Sequence, residues 1–358
     1  MSNDVRLIAF YLPQFHRIPE NDRWWGEGFT EWTNVRRAKP VFSGHVQPRV
    51  PTELGYYDLT DARARAAQAA LARAHGIDAF CYYYYWFSGK RLLEAPLDAV
   101  LASGEPDFPF CICWANHPWN RRWDGAEHDL LMPMDYLPGD DRRFIRDVIP
   151  LFRDARYVRV GERPLLVISR PQDSPQIRPM VGVWREECAA AGLAAPYLCL
   201  VQDAEGANPR SFGFDAAIEF PPHGLQLAEV TQQVEDLDQV FEGQVWDYVS
   251  GAKWALARTL PEYTLLRGVM TGWDNTPRLP RNGHIFGNAH PANYERWLSG
   301  VVAQTRATRQ GDERLVFINA WNEWAEGAYL EPDAQYGRQF LEATLRVAAA
   351  NRGAPGRP

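Results

Sequence analysis

Residues 315–327 read LVFINAWNEWAEG: an apolar run that breaks into tryptophans, an amide and two carboxylates. The first six residues suit a strand covered on both faces, as in a parallel sheet, since neither face is left for water. The rest suits the carboxyl end of such a strand. Working outward, seven further runs of the same near-continuous apolar character are found at 6–12, 79–85, 108–114, 164–169, 197–202, 216–220 and 265–271. Helical periodicity fills the intervals. Thr60-Asp61 opens a helix over 62–75 that Gly76 ends, a second over 179–191 stops at Gly192, and 293–306 and 335–350 are similarly periodic. Eight alternations predict the α/β class, as a single (β/α)8 TIM barrel over residues 1–350 with a disordered tail at 351–358. An open doubly wound sheet is the competing arrangement, but no Gly-x-Gly-x-x-Gly follows the first strand. Long loops follow strand 1 (13–58) and strand 3 (115–140), and loops of that length in a compact domain are usually functional.

Composition narrows the partners. A formal net charge of −7 over 358 residues argues against nucleic acid, which selects a basic surface. No apolar run reaches the roughly 18 residues of a membrane span, and the amino terminus lacks the pattern of a signal peptide. The five cysteines, at 81, 111, 113, 188 and 199, read as small buried hydrophobes in a reducing compartment. A cytoplasmic location is the expectation. Fourteen Trp, 15 Tyr and 17 Phe, many at strand ends, suit sugars, whose C–H faces stack on flat rings; they also suit a large core.

In a barrel the chemistry gathers at the carboxyl ends of the strands. Strand 1 ends at Tyr11, Gln14 and His16, and its loop carries Trp25, Glu31 and Trp32. Strand 2 ends in four tyrosines at 82–85 and then Trp86; at most half of them can face one side, and Tyr84 and Trp86 share that face. Strand 3 delivers Trp114, Asn116, His117 and Trp119, then Arg122, Trp123 and Asp124. Gln202 and Asp203 end strand 5, Glu219 and His223 strand 6, and Trp273 strand 7. Strand 8 supplies Asn322, Glu323, Trp324 and Glu326.

Glu323 and Glu326, three apart, face one side of a turn or helix start. Glycosidic cleavage needs two carboxyl groups in different protonation states, which proximity and burial promote. Glu331 competes for either role. The histidines at 16, 117 and 223 lack a short metal-ligand spacing, and no Gly-x-Ser-x-Gly elbow is present, so neither a metal nor a serine nucleophile is expected, and no cofactor. Arg122, Trp123 and Asp124 read either as a loop anchor or as a wall for sugar hydroxyls.

Four stretches, FYLPQFH (10–16), WWGEGFTEWTNV (24–35), RRWDG (121–125) and WNEWAEG (321–327), resemble the WbsX-type proteins over roughly residues 5–345. That family is often labelled a glycosyltransferase of surface-polysaccharide clusters and is similar to glycoside hydrolase family 99, endo-acting α-mannosidases on a (β/α)8 barrel. The resemblance implies a retaining, endo-acting hydrolase of α-linked mannose-like oligo- or polysaccharides. Under it Glu323 deprotonates the sugar 2-hydroxyl, which attacks the anomeric carbon to give a 1,2-anhydro sugar; Glu326 protonates the leaving group and then activates water. The chain departs from these families at Ala325, where family 99 usually has histidine, at His117-Pro118, where many WbsX-type sequences have Glu-Asn, and at Tyr84, where many have histidine. A glycosyltransferase or transglycosylase, and a carbohydrate-binding protein without catalysis, stand beside the hydrolase as alternatives.

Overall fold

Eight runs buried on both faces can satisfy their backbone groups together only by pairing, and closure removes the two exposed edges that an open sheet would leave. In the computed structural model, which describes residues 4–121, 126–202 and 206–353, they do so as strands β1 (Arg6–Tyr11), β2 (Ala79–Phe87), β3 (Phe110–Trp114), β4 (Arg163–Ile168), β5 (Tyr197–Gln202), β6 (Ala216–Glu219), β7 (Leu265–Met270) and β8 (Leu315–Asn319). Each pairs in parallel with its neighbours in sequence, and β8 closes on β1 through Leu7↔Val316 and Ile8↔Phe317. This is the (β/α)8 barrel that the sequence predicts.

The pairing register fixes which side chains fill the lumen. Phe10 and Cys81 are partners, as are Cys81 and Cys111, Cys113 and Val167, and Val167 and Cys199, so side chains from the first five strands line the interior beside one another. All five cysteines are buried and unbridged. Phe10 packs on Tyr83, Phe220 and Phe317 across the lumen, which makes the odd-numbered residues of β2 the inward ones.

The helix ring departs from the expected eight alternations in one place. Between β5 and β6 the described residues hold only a 3-10 turn, Pro209–Phe212. Elsewhere the helices form where the periodicity puts them: Ala62–Ala74 starts with the Asp61 carboxylate accepting from Arg63 N, and Ile177–Ala190 stops just before Gly192 at φ +73°. The last helix, Gln339–Gly353, continues past 350. Asn351 is buried there, its amide closing a pair of hydrogen bonds with Val5 N (3.2 Å) and O (2.9 Å), so Asn351 belongs to the packed body and the helix runs on to 353. Residues 354–358 lie outside the described residues. Among the described residues no helix is long and apolar enough to cross a membrane.

The long loops have structure of their own. Loop 13–58 holds the helices Pro19–Trp25 and Glu31–Arg37, and loop 115–140 holds an antiparallel pair, Trp119–Arg121 with Ala126–Met132. Segments after β6 and β7, which the sequence reading passed over, join through the parallel pair Gln244–Asp247 and His284–Gly287.

Candidate active site

Beyond β8 the chain turns back on itself. Asn322–Glu323 pairs antiparallel with Ala328–Tyr329, and the reversal is a 3-10 turn, Trp324–Glu326, closed by Gly327 at φ +63°. A Cβ at 327 would stand 2.9 Å from the backbone nitrogen of Asp274, so both conformation and space require glycine. The hairpin is tied to the barrel from two sides. The Asn322 amide accepts from Leu12 N (2.7 Å) and donates to Leu12 O (3.0 Å), and Asp274 N donates to Glu326 O (2.6 Å).

This turn brings Glu323 and Glu326 onto one partner. Arg278, on the turn after β7 where its N–H donates to Asn275 O, sends its guanidinium between them: Nη2 lies 3.2 Å from Glu323 Oε2, and Nη1 hydrogen-bonds Glu326. Its Nε donates to Glu31 Oε1 at 2.8 Å. Three carboxylates thus share one cation. Burial alone would lower the arginine's pKa, but the charges of Glu31, Glu326 and Glu323 hold it well above the ordinary value. Burial, then the Glu326 charge, pushes Glu323 well above the usual carboxylate range, with Arg278 pulling the other way. Glu326 is raised by burial too, against the pull of Arg278. Glu323 is the more enclosed (side chain 6% exposed against 21%) and the farther from the cation, so the shared proton belongs on Glu323 in this arrangement.

The walls are aromatic. Tyr83 and Tyr85 are the half-buried, inward tyrosines of β2, and burial and the Glu323 charge push both phenols up, so each stays a donor near neutral pH. Trp119 packs edge-on against Tyr85 at 5.0 Å. Trp25 is half-buried beneath the Arg121 guanidinium, and Trp273, 8% exposed, stands 6.4 Å from the His223 ring. Gln14 donates to Glu31 at 3.1 Å. His16 is buried; its Nδ1 meets Pro13 O, its Nε2 has no hydrogen-bond partner among the described residues, and burial keeps its ring neutral. His117 is half-buried just beyond β3.

Several residues expected in the site are turned elsewhere. Tyr84, Trp86 and Trp114 have the outward parity. Trp86 Nε1 donates to Asp147 in helix Asp140–Phe152, Trp114 stacks on Phe144 of that helix at 4.1 Å, and Tyr84 lies edge-on to the same ring. Tyr11 also faces the helix layer, donating to Gln68 at 2.7 Å. Trp32 is packed behind the rim with Nε1 on Tyr57 O, and Trp324 stacks on Tyr329 at 3.9 Å with Nε1 on Glu331. Asn116 locks its loop to Tyr136 and Arg170, and Asn322 spends its amide on Leu12. Glu331, the competing carboxylate, lies with Trp324, Tyr57 and Gln68 and away from Arg278. Arg122, Trp123 and Asp124 fall outside the described residues. Arg278 was missed: it sits in an irregular loop far along the chain from its partners, and nothing local marks it.

The family model described as Glycosyltransferase WbsX matches residues 7–344. Two curated proteins from strains of Xanthomonas campestris pv. campestris, each named "Uncharacterized protein WxcX", are 48% identical over 341 residues, which cover 95% of this chain and 49% of theirs. The chain therefore spans about half the length of the curated relatives it matches. Among solved structures, a "Glycoside hydrolase-like protein" aligns with TM-score 0.60 and 15% identity, covering 96% of this chain and 94% of that one. The GH99 endo-α-mannosidase from Bacteroides thetaiotaomicron aligns with TM-score 0.57 and 14% identity, over 97% of each chain. At such identities the likeness is one of fold.

Proposed function

The chain belongs to the WbsX family, and on that premise we propose that it is a retaining, endo-acting glycoside hydrolase of α-linked mannose-like glycans. Glu323 takes the proton of the sugar 2-hydroxyl, whose oxygen closes on the anomeric carbon as the glycosidic bond breaks. Glu326 gives its proton to the departing oxygen, then takes one from the water that opens the 1,2-anhydro ring, so the configuration is retained overall. The observation that carries this reading is the hairpin that puts both carboxylates on one guanidinium at the aromatic mouth of the barrel.

The family's description as a glycosyltransferase supports a second reading, in which a sugar hydroxyl replaces water as the acceptor. A nucleotide-sugar donor is less well served. Arg278 already meets three carboxylates, and the acids that surround it repel a diphosphate. A neutral glycan fits that charge balance.

The test is incubation with α-linked manno-, rhamno- and glucosyl oligosaccharides in 18O water, beside Glu323→Gln and Glu326→Gln. One 18O at the new reducing end, lost in either variant, supports the hydrolase once oxygen exchange is controlled for. Glutamate-dependent extension only when nucleotide sugars are added supports the transferase. Retained ligand affinity with no turnover in the wild type supports a binding protein.

A further inference from the structure

Arg278 is more than a counter-charge. Its Nε end is pinned: Glu31 is fully buried, stands at the start of helix Glu31–Arg37, and receives Gln14 Nε2 (3.1 Å) and Asn34 Nδ2 (3.3 Å) as well as Arg278 Nε (2.8 Å). With that end fixed, the two η nitrogens are aimed at the catalytic pair, and they are not equidistant: Nη1 makes the close bond to Glu326, whereas Nη2 stays 3.2 Å from Glu323. A cation favours the ionised form of the carboxylate it touches most closely. The arrangement therefore leaves Glu326 ionised and Glu323 protonated, the reverse of what the chemistry above requires. Glu326 is also the more exposed of the two, so an incoming glycosidic oxygen reaches the Nη1–Glu326 bond first.

We propose that Arg278, braced by Glu31, is a positioning residue that assigns the shared proton: it holds the proton on Glu323 until a glycan loosens the guanidinium from Glu326. The inference rests on the reading of Glu323 and Glu326 as the acid–base pair. When Nη1 leaves Glu326 and the guanidinium leans to Glu323, one proton passes from Glu323 to Glu326, with no other reactant needed. Among the described residues, the titratable groups facing the pair are Glu31 from the first loop, Arg278 from the loop after β7, and Tyr83 and Tyr85 from β2.

The experiment follows carboxyl titration in the full chain, by NMR of 13C-labelled glutamate, in wild type, Glu323→Gln, Glu326→Gln, Arg278→Gln, Arg278→Lys and Glu31→Gln, without any sugar. The wild type should show a protonated carboxyl near pH 7 that disappears in Glu323→Gln. Arg278→Gln should raise the Glu326 titration by about one pH unit or more, tenfold in the proton equilibrium. Arg278→Lys should restore part of that shift, and Glu31→Gln, which removes a like charge along with the brace, should move the Glu326 titration the other way, downward. If Arg278→Gln does not fold by circular dichroism, the last two variants carry the test. Titrations unchanged in folded Arg278 and Glu31 variants, or a neutral carboxyl that disappears in Glu326→Gln instead, would overturn the assignment. Cleavage is scored apart: shifted titrations with no glycan cleaved leave the proton assignment standing and remove the hydrolase reading.

Discussion

Two buried acid clusters flank the segment that leaves β8, and they are built on opposite plans. In the lumen, Glu31, Glu323 and Glu326 crowd one guanidinium, so negative charge is oversupplied and, together with burial, favours a protonated carboxyl. On the wall side, Glu331 is met by neutral donors: Tyr57 Oη at 2.8 Å, Gln68 Nε2 at 2.7 Å and Trp324 Nε1 at 2.6 Å. Neutral donors satisfy a carboxylate without competing for its charge and hold it in one geometry. A shared cation satisfies three carboxylates incompletely and leaves protonation open to change. The difference separates an acid that holds the hairpin from acids that the hairpin holds at the mouth of the barrel.

The largest effect should fall on the lumen cluster. Glu323→Gln and Glu326→Gln should each cut the cleavage rate by ~1,000-fold or more. Thermal stability should hold or rise, because Glu326→Gln relieves like-charge crowding and Glu323→Gln replaces a carboxyl that already carries the proton. Glu331→Gln should do the opposite, keeping cleavage within about tenfold while lowering stability by about 1–3 kcal/mol as an amide NH2 meets three donors. Kinetics beside thermal melts of the three variants decide it. The comparison breaks if Glu331→Gln abolishes cleavage in a stable protein.

The pH dependence of stability sharpens the same contrast. Burial pushes Glu331 up from 4.5 to about 7, with its hydrogen bonds opposing. Below the unfolded value both states carry the proton. As pH rises, the unfolded chain loses it first, so unfolding becomes easier until the folded value is passed. That window, from about pH 4.5 to 7, should cost about 3 kcal/mol of stability through Glu331 alone. Urea melts across it should slope downward in the wild type and flatten in Glu331→Gln. The raised Glu323 and Glu326 contribute with the same sign. Asp274 has the opposite sign: burial would raise it, but the His45 bond and the Arg49 charge outweigh burial and hold it well below the usual range, so its contribution fades only in strong acid.

Whether the clusters communicate is a smaller question with a single-residue probe. Trp324 is the link, for it follows Glu323 in the chain and donates to Glu331. Trp324→Phe keeps a ring against Tyr329 and removes one donor, so stability should fall by about 1–2 kcal/mol. If the clusters are independent, the pH–rate profile keeps its shape. A displaced acid limb would show that the wall cluster tunes the lumen.

The strands were legible because burial on both faces writes an unbroken apolar run, and every barrel strand forms within two residues of its predicted ends. The hairpin carboxylates were legible because they follow such a run directly. Arg278 was not, since its contacts with Glu31 and Glu323 are set by closure of the barrel and by an irregular turn. Counting alternations puts a helix in the fifth interval, though its described residues hold only a short turn. Trp86 and Trp114 failed for another reason: an aromatic at a strand end says nothing about which side of the strand it takes.

The tyrosines at 82–85 isolate that last failure, because composition is constant and only parity varies. On β2, Tyr82 and Tyr84 are buried toward the helices, while Tyr83 and Tyr85 are half-buried toward the carboxylates. Removing one hydroxyl from each should therefore give two classes of result. Tyr83→Phe and Tyr85→Phe should raise KM or lower kcat by roughly three- to tenfold, the worth of one neutral hydrogen bond, with little change in melting temperature. Tyr84→Phe should leave kinetics untouched and change stability by less than about 0.5 kcal/mol, since its ring contacts with Phe144 and Arg91 survive the change. Equal kinetic effects from Tyr83 and Tyr84 would mean that the strand's inward face is not the one that meets the glycan, and the lumen cluster would lose its claim to the chemistry.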